Sequence, residues 1–231
     1  MIIKGKTILN NTKIGPNIIK NGLVLYLDMF NKYSYPNPTW YDLTNNGHNA
    51  SLMLNPTYSN STITLDGTSY ISVPNTSYLN STIFTFCAWI RNTDTSLYWN
   101  RIMCKKLNYT DTNGYELALA TGTDQTLYIG SSDSTFTTIS NFCNWLDYKW
   151  HYVSVVFYNT TTIAYCDGVY KGQGTIAAVV SNNRNLSLGR IDGEATLTQW
   201  YGDYSIVQMY NRVLASNEIL QNYNSLKSRF L

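Results

Sequence analysis

The chain has 231 residues, of which 13% are charged, with a formal net charge of +2 and lysines and arginines scattered along its length. That balance supplies no basic face for nucleic acid, and no run approaches the roughly 18 to 20 consecutive apolar residues that membrane insertion of a helix needs. The length suits one large domain with a sizeable core, while 20 tyrosines and abundant Asn, Thr and Ser place polarity on uncharged groups, as sheet surfaces and turns do.

The N-terminus, MIIKGKTILNNTK, lacks the apolar stretch and small-residue cleavage pattern of a secretory signal, so Sec export is not expected. Residues 1–20 carry no clear period and include the turn signal Gly15-Pro16-Asn17; they read as an N-terminal arm or linker ahead of one domain at 21–231. The apolar run Leu23–Leu27 fits a strand buried on both faces, and it stops at Asp28. Asn31–Asn49, crowded with turn formers around Trp40-Tyr41-Asp42 and Asn45-Asn46-Gly47, is expected to be a long structured loop. Strands are expected at Ser61–Leu65, Tyr70–Val73, Phe84–Arg91, Gly114–Ala120 and Thr126–Gly130, each bounded by Gly, Asn, Asp or Pro.

The segment Lys149–Lys171 reads as three short strands joined by two tight turns. Trp150, Tyr152, Ser154 and Val156 fall on one side of a period-two ribbon, and His151, Val153, Val155 and Phe157 on the other. Neither side is strongly polar. Asp167-Gly168 then supplies the pair that tolerates positive φ in a two-residue hairpin. Further strands are expected at Leu186–Gly189 and Tyr204–Tyr210, and the chain closes with a helix capped by Ser216. Glu218 falls in the first turn of that helix, and Ile219, Tyr223 and Leu226 share one face. Many short strands at this spacing point to an all-β sandwich.

Cys87, Cys104, Cys143 and Cys166 are too widely spaced for CxxC metal or redox motifs and read as buried thiols, with pairing not fixed by sequence. Acid–base pairs are scarce. The glutamates are Glu116, Glu194 and Glu218, none near another, and Asp192-Gly193-Glu194 stands in a Gly-containing break that reads as a loop. Glycoside hydrolysis needs two facing carboxylates, so an enzyme is the weakest class. His151 lies inside a strand, and His48 sits in a turn where contact with a ligand or metal is a minor expectation.

In order, GLVLYLD (22–28), TWYDLTNNGHNASL (39–52), ITLDGTSYISVP (63–74), FTFCAWIR (84–91), KWHYVSVVF (149–157), IAYCDGVYKG (163–172), LSLGR (186–190) and GDYSIVQMYNRVLASNEI (202–219) resemble the landmarks of laminin-G-like modules of the concanavalin A-like lectin/glucanase superfamily. The resemblance implies a jelly-roll β-sandwich of two antiparallel sheets with one short C-terminal helix. The wording around GPNIIKNGLVLYLD is similar to a subgroup common in bacteriophage virion and tail-associated proteins. It implies a virion location, with assembly in the host cytoplasm, and makes a non-enzymatic structural or decoration protein the leading expectation. A carbohydrate-binding module that adheres to host-surface glycans is the alternative.

The partners implied are other virion proteins, host glycans or further copies of the chain in a homo-oligomer. Trp89, Trp150 and Trp200 fall at landmark positions and are expected in the core, and Trp40 is expected to pack its own loop. Tyr98, Trp99 and Asp94 in one loop, with Trp145 and Tyr148 before the KWHYV strand, remain as candidates for a ligand-contact surface. A structural calcium, which many modules of this superfamily hold, makes Asp28, Asp42, Asp66 and Asp203 the carboxylates to watch.

Overall fold

The computed structural model describes residues 16–36, 38–94, 99–108, 110–119, 125–131, 135–191 and 199–231. Its strands are β1 (Leu23–Asp28), β2 (Thr39–Trp40), β3 (Ala50–Met53), β4 (Thr57–Ser59), β5 (Thr62–Asp66), β6 (Tyr70–Val73), β7 (Ile83–Asn92) and β8 (Asn100–Cys104). They continue with β9 (Glu116–Leu119), β10 (Leu127–Gly130), β11 (Phe136–Ile139), β12 (His151–Tyr158), β13 (Thr161–Cys166), β14 (Val169–Thr175), β15 (Leu186–Leu188) and β16 (Tyr201–Tyr210), before helix α1 (Ser216–Leu226).

Two antiparallel sheets form the sandwich. The first runs β14-β13-β12-β7-β16-β5-β4, with β1 also paired to β16, and the second runs β11-β10-β9-β8-β15-β6-β3-β2. The jelly roll is therefore as expected. β16 is long enough to serve two partners on one edge, pairing β5 through Tyr201–Tyr204 and β1 through Ile206–Tyr210.

Alternation decides which residues meet between the sheets. Val153, Val155 and Phe157 of β12 point into the main core with Leu117, Leu119, Leu127, Ile129, Leu186 and Leu188 of the second sheet. Tyr152 and Val156 point the other way, into a smaller core under α1. Both faces of β12 are buried, which is why neither side of the KWHYVSVVF alternation is polar. Each large apolar side chain removed from water in this way stabilises the fold by about 1.5–3 kcal/mol.

The expected turn at Asp167-Gly168 is present, with φ of 53° and 77° at the two residues. Gly168 also lies under the helix, where an added Cβ would stand 2.9 Å from Leu220.

Helix α1 differs from expectation at its start. Ser216 is its first helical residue, Ala215 is the cap position, and the cap N–H donates to Glu218 Oε2 at 2.9 Å. The glutamate three residues on thus supplies the carboxylate half of a capping box, accepting from the cap N–H, and it is held by Arg212 at 2.7 Å. Ile219 and Leu226 are buried, and Tyr223 packs beside them, so the expected helical face is the one that docks.

Ile18, within the segment read as an arm, is buried in the same small core; Ile19 N–H donates to Asn222 Oδ1 at 2.8 Å, and residues 1–15 lie outside the described residues. Trp150 is half-buried rather than in the core. It lies at the rim of the helix-covered face, against Phe230, with the Arg91 guanidinium over its ring.

Candidate functional face of the second sheet

The outer face of the first sheet is closed by α1 and the residues after it. Trp89 stacks on Phe230 with ring centroids 4.2 Å apart and on Tyr223 at 5.7 Å. The outer face of the second sheet has another composition. Its register places Arg101, Ala118, Tyr128 and Thr138 in one cross-strand row. Ser72, Ser187, Cys104, Glu116, Gly130 and Phe136 form the next. The residues that alternate with these face the main core, so both rows point outward.

Three aromatic rings lie in series on this face. Trp99, at positive φ just before β8, stands 4.3 Å from Tyr128, and Tyr128 stands 5.5 Å from Phe136. Trp99 is 38% and Phe136 57% exposed. Beside the rings is a charged group taken almost out of water. Arg101 Nε lies 2.7 Å from Glu116 Oε2, Lys106 Nζ lies 3.7 Å from Glu116 Oε1, and the side chains of Arg101 and Lys106 are 4% and 1% exposed.

The neighbouring backbone fixes both cations further. Arg101 Nη1 donates to the Trp99 carbonyl at 3.3 Å, which ties the cation to the loop that carries the aromatic ring, and the guanidinium lies 5.6 Å from that ring's centre. Lys106 Nζ donates to the Ser131 carbonyl at 3.1 Å. Gly130 makes room for the glutamate, since a Cβ there would stand 2.8 Å from Glu116 Cγ. Burial, reinforced by the Glu116 charge, pushes the Cys104 thiol far up, so it stays a neutral member of the row.

Two buried cations around one carboxylate are held by charge, while flat hydrocarbon beside them stays partly wet. Rings and fixed polar groups side by side suit a ligand with apolar faces and many hydroxyls.

The residues read as ligand contacts divide between places. Trp99 is part of this face. Asp94 stands at the base of the same loop, where its N–H donates to Asn92 Oδ1 and its carbonyl accepts from Asn100 Nδ2. Tyr98 lies outside the described residues, as do Asp192 and Glu194.

Trp145 is corrected. It is only 4% exposed, because the single 3-10 turn Trp145–Asp147 tucks its ring into the main core, edge-on to Trp200 and against His151. Tyr148, in the left-handed conformation that ends this turn, is exposed. Sequence reasoning did not single out Arg101, Glu116, Lys106, Tyr128 or Phe136. The available signal was Glu116 inside an expected strand, since a carboxylate there needs a partner.

The four aspartates watched for calcium each engage their own surroundings. Asp28 is buried with Arg229 at 3.0 Å and the Tyr26 hydroxyl at 2.8 Å. Asp42 accepts from the N–H groups of Tyr26, Thr44 and His48. Asp66 accepts from the N–H groups of Ser69 and Thr68, which hold its carboxyl well below the usual range. Asp203 pairs with Arg91 at 2.6 Å and accepts from Thr64. Among the described residues, the three potential metal-ligand atoms gathered within 4.8 Å belong instead to Cys143, His151 and Cys166.

His48 is buried beside Tyr78 and Thr76, and burial lowers its pKa despite the pull of Asp42. Cys87 and Cys104 are buried thiols as expected, whereas Cys143 and Cys166 form a disulfide. Twenty-three residues separate that pair, and only the return of β13 alongside the loop after β11 brings them together.

Residues 65–220 match the sequence family described as the concanavalin A-like lectin/glucanases superfamily. No curated protein sequence matches the chain. Among solved structures, domain 4 of AbnA, an extracellular arabinanase from Geobacillus stearothermophilus in complex with arabinotriose, superposes with a TM-score of 0.68 at 18% identity, over 89% of this chain and 100% of that one. The botulinum neurotoxin serotype D binding domain gives 0.65 at 15% identity, over 88% of this chain and 51% of that one. Trypanosoma rangeli sialidase in complex with sialic acid gives 0.71 at 15% identity, over 92% of this chain and 34% of that one. The chain thus spans all of the first structure, about half of the second and a third of the third, and at these identities the likeness is one of fold.

Proposed function

Because the chain belongs to the concanavalin A-like lectin/glucanases superfamily, we propose that it is a non-enzymatic carbohydrate-binding module whose ligand lies on the outer face of the second sheet. The observation that carries this reading is the row Trp99–Tyr128–Phe136 beside the buried Arg101–Glu116–Lys106 group. A pyranose or furanose ring stacks on an exposed aromatic face, and fixed polar groups then select its hydroxyls. The arabinotriose-bound arabinanase domain, covered over its full length, supports the reading by analogy of fold.

Binding without hydrolysis fits the state of the glutamates. Among the described residues, Glu116 is paired with Arg101 and Lys106, and the Arg212 hydrogen bond holds the Glu218 carboxyl below its usual range, the opposite of what a general acid needs. We further place the module on a bacteriophage particle, as a decoration or adhesion domain presented to host-surface glycan. That setting rests on the sequence resemblance around residues 15–28, and mass spectrometry of purified particles against host lysate tests it.

A glycan array with the isolated protein, followed by titration of Trp99→Ala and Tyr128→Ala against the best binder, tests the module itself. Each substitution is expected to weaken binding about tenfold, ~1.4 kcal/mol, with the melting transition little moved. An array without any binder, or affinities untouched by both substitutions, would count against this face.

A further inference from the structure

The disulfide between Cys143 and Cys166 has an imidazole and a carboxylate at its side. Cys166 Sγ lies 3.8 Å from His151 Nδ1 and 3.6 Å from Asp167 Oδ2. In a tetrahedral zinc site with bonds of about 2.3 Å to sulfur and about 2.0–2.2 Å to nitrogen or oxygen, neighbouring ligand atoms stand about 3.6 Å apart. Both separations already have that size.

The remaining contacts orient the same atoms. Asp167 Oδ1 is held by the Tyr152 N–H at 2.8 Å, which leaves Oδ2 facing the group, 2.8 Å from His151 Nδ1. The other ring nitrogen, Nε2, is 3.3 Å from both the Asn144 carbonyl and Asp147 Oδ1. A carbonyl or carboxylate on the far N–H is the partner that fixes the tautomer and plane of a metal-bound imidazole.

We propose that reduction of the Cys143–Cys166 bridge converts this group into a four-coordinate zinc(II) site formed by Cys143 Sγ, Cys166 Sγ, His151 Nδ1 and Asp167 Oδ2. In the reduction, two thiols of an external reductant are oxidised to a disulfide as the Cys143–Cys166 bond breaks, and each cysteine sulfur takes up one proton. Zinc then displaces both thiol protons to solvent and binds His151 as neutral imidazole.

The sulfurs must open to the about 3.8 Å of a zinc dithiolate, and the movement falls on Cys143, which lies in the connection between β11 and the turn Trp145–Asp147 rather than in a strand. That connection and β13 would then be stapled in reducing surroundings by zinc and in oxidising surroundings by the disulfide. Cys87 and Cys104 are poor competitors because burial disfavours their thiolates, pushing Cys87 up to about 11.

The test is independent of carbohydrate binding. The whole protein, reduced with a phosphine and freed of metal, is titrated with cobalt(II) as the spectroscopic probe and then with zinc(II), while near-ultraviolet circular dichroism follows the fold. One cobalt per chain with thiolate charge-transfer and tetrahedral d–d bands, displaced by zinc, is the expected result. Oxidised protein and Cys143→Ser should lack the charge-transfer band of a dithiolate, and His151→Ala and Asp167→Asn should weaken binding at least tenfold. Reduced protein that takes up no more cobalt than the oxidised form, that binds equally well after His151→Ala, or that stays unfolded with zinc present overturns the proposal.

Discussion

The two outer faces of this sandwich begin from the same period-two alternation and end with opposite characters. On the first sheet, Trp89 and Tyr152 are fully buried under Tyr223 and Phe230, and the tyrosine hydroxyls there pair internally, Tyr152 with Gln208 and Tyr210 with Asn222. On the second sheet the rings of Trp99 and Phe136 stay in water, while Arg101, Lys106 and Glu116 are drawn out of it. A face sealed by its own C-terminal segment holds the fold together. A face that hides its charges and shows its rings is the one proposed above for recognition, and desolvated charge adds little to stability that hydrophobic residues would not supply better.

Breaking the covered face should give the largest change in stability. Trp89→Ala removes the ring on which Phe230 and Tyr223 stack, and a loss of about 3–5 kcal/mol is expected by urea unfolding. Glycan affinity per folded molecule should survive, and a variant that binds less while remaining folded would blur the separation of the faces.

On the proposed recognition face the largest effect on stability belongs to Glu116→Gln. It strands two buried cations and should cost toward the lower end of about 3–5 kcal/mol, because the glutamate keeps some water contact. A loss under 1 kcal/mol would mean that Arg101 and Lys106 are already solvated. Trp99→Ala and Tyr128→Ala come next, with the affinity loss given above and stability within about 0.5 kcal/mol of the parent, as for surface changes.

The smallest effect is that of pH at His151. Burial disfavours its charged form, but the hydrogen bond and charge of Asp167, with Asp147 beyond, outweigh burial and raise its pKa above the ordinary value of about 6.5. A raised folded value means that its contribution to stability is complete below about pH 6.5 and is lost as pH rises through the folded value. Melting temperatures of the disulfide form should therefore fall modestly from pH 6 toward pH 9, and His151→Gln should flatten that part of the profile.

Much of the covered face was legible because long runs with strong alternation fix their own strands. FTFCAWIR and KWHYVSVVF became β7 and β12 with few changes at their ends, and the Ile219–Tyr223–Leu226 spacing marked the docking side of α1. The proposed recognition face was legible only in part: the strands that carry Glu116 and Tyr128 were expected and Trp99 was a contact candidate, but β8 and β11 were not foreseen. β8 begins one residue after Trp99, and its Asn100-Arg101 start reads as loop because nothing local shows that Glu116 lies across the sheet to neutralise it. β11 is equally hidden, since Phe136, Thr137 and Thr138 carry little apolar pattern. Trp145 looked like a contact residue because a single 3-10 turn has no period to show which side it buries. The Cys143–Cys166 pairing depends on tertiary return, which residue spacing does not encode.

Hydroxyl-radical footprinting with and without a saturating glycan from the array compares both faces in one measurement. Oxidation of Trp99, Tyr128 and Phe136 is expected to fall on binding, while Tyr148, Tyr170 and Leu220, exposed elsewhere on the domain, keep their rates. Protection confined to residues around α1, with Trp99, Tyr128 and Phe136 oxidised as fast as in the free protein, would contradict the assignment of recognition to the second sheet.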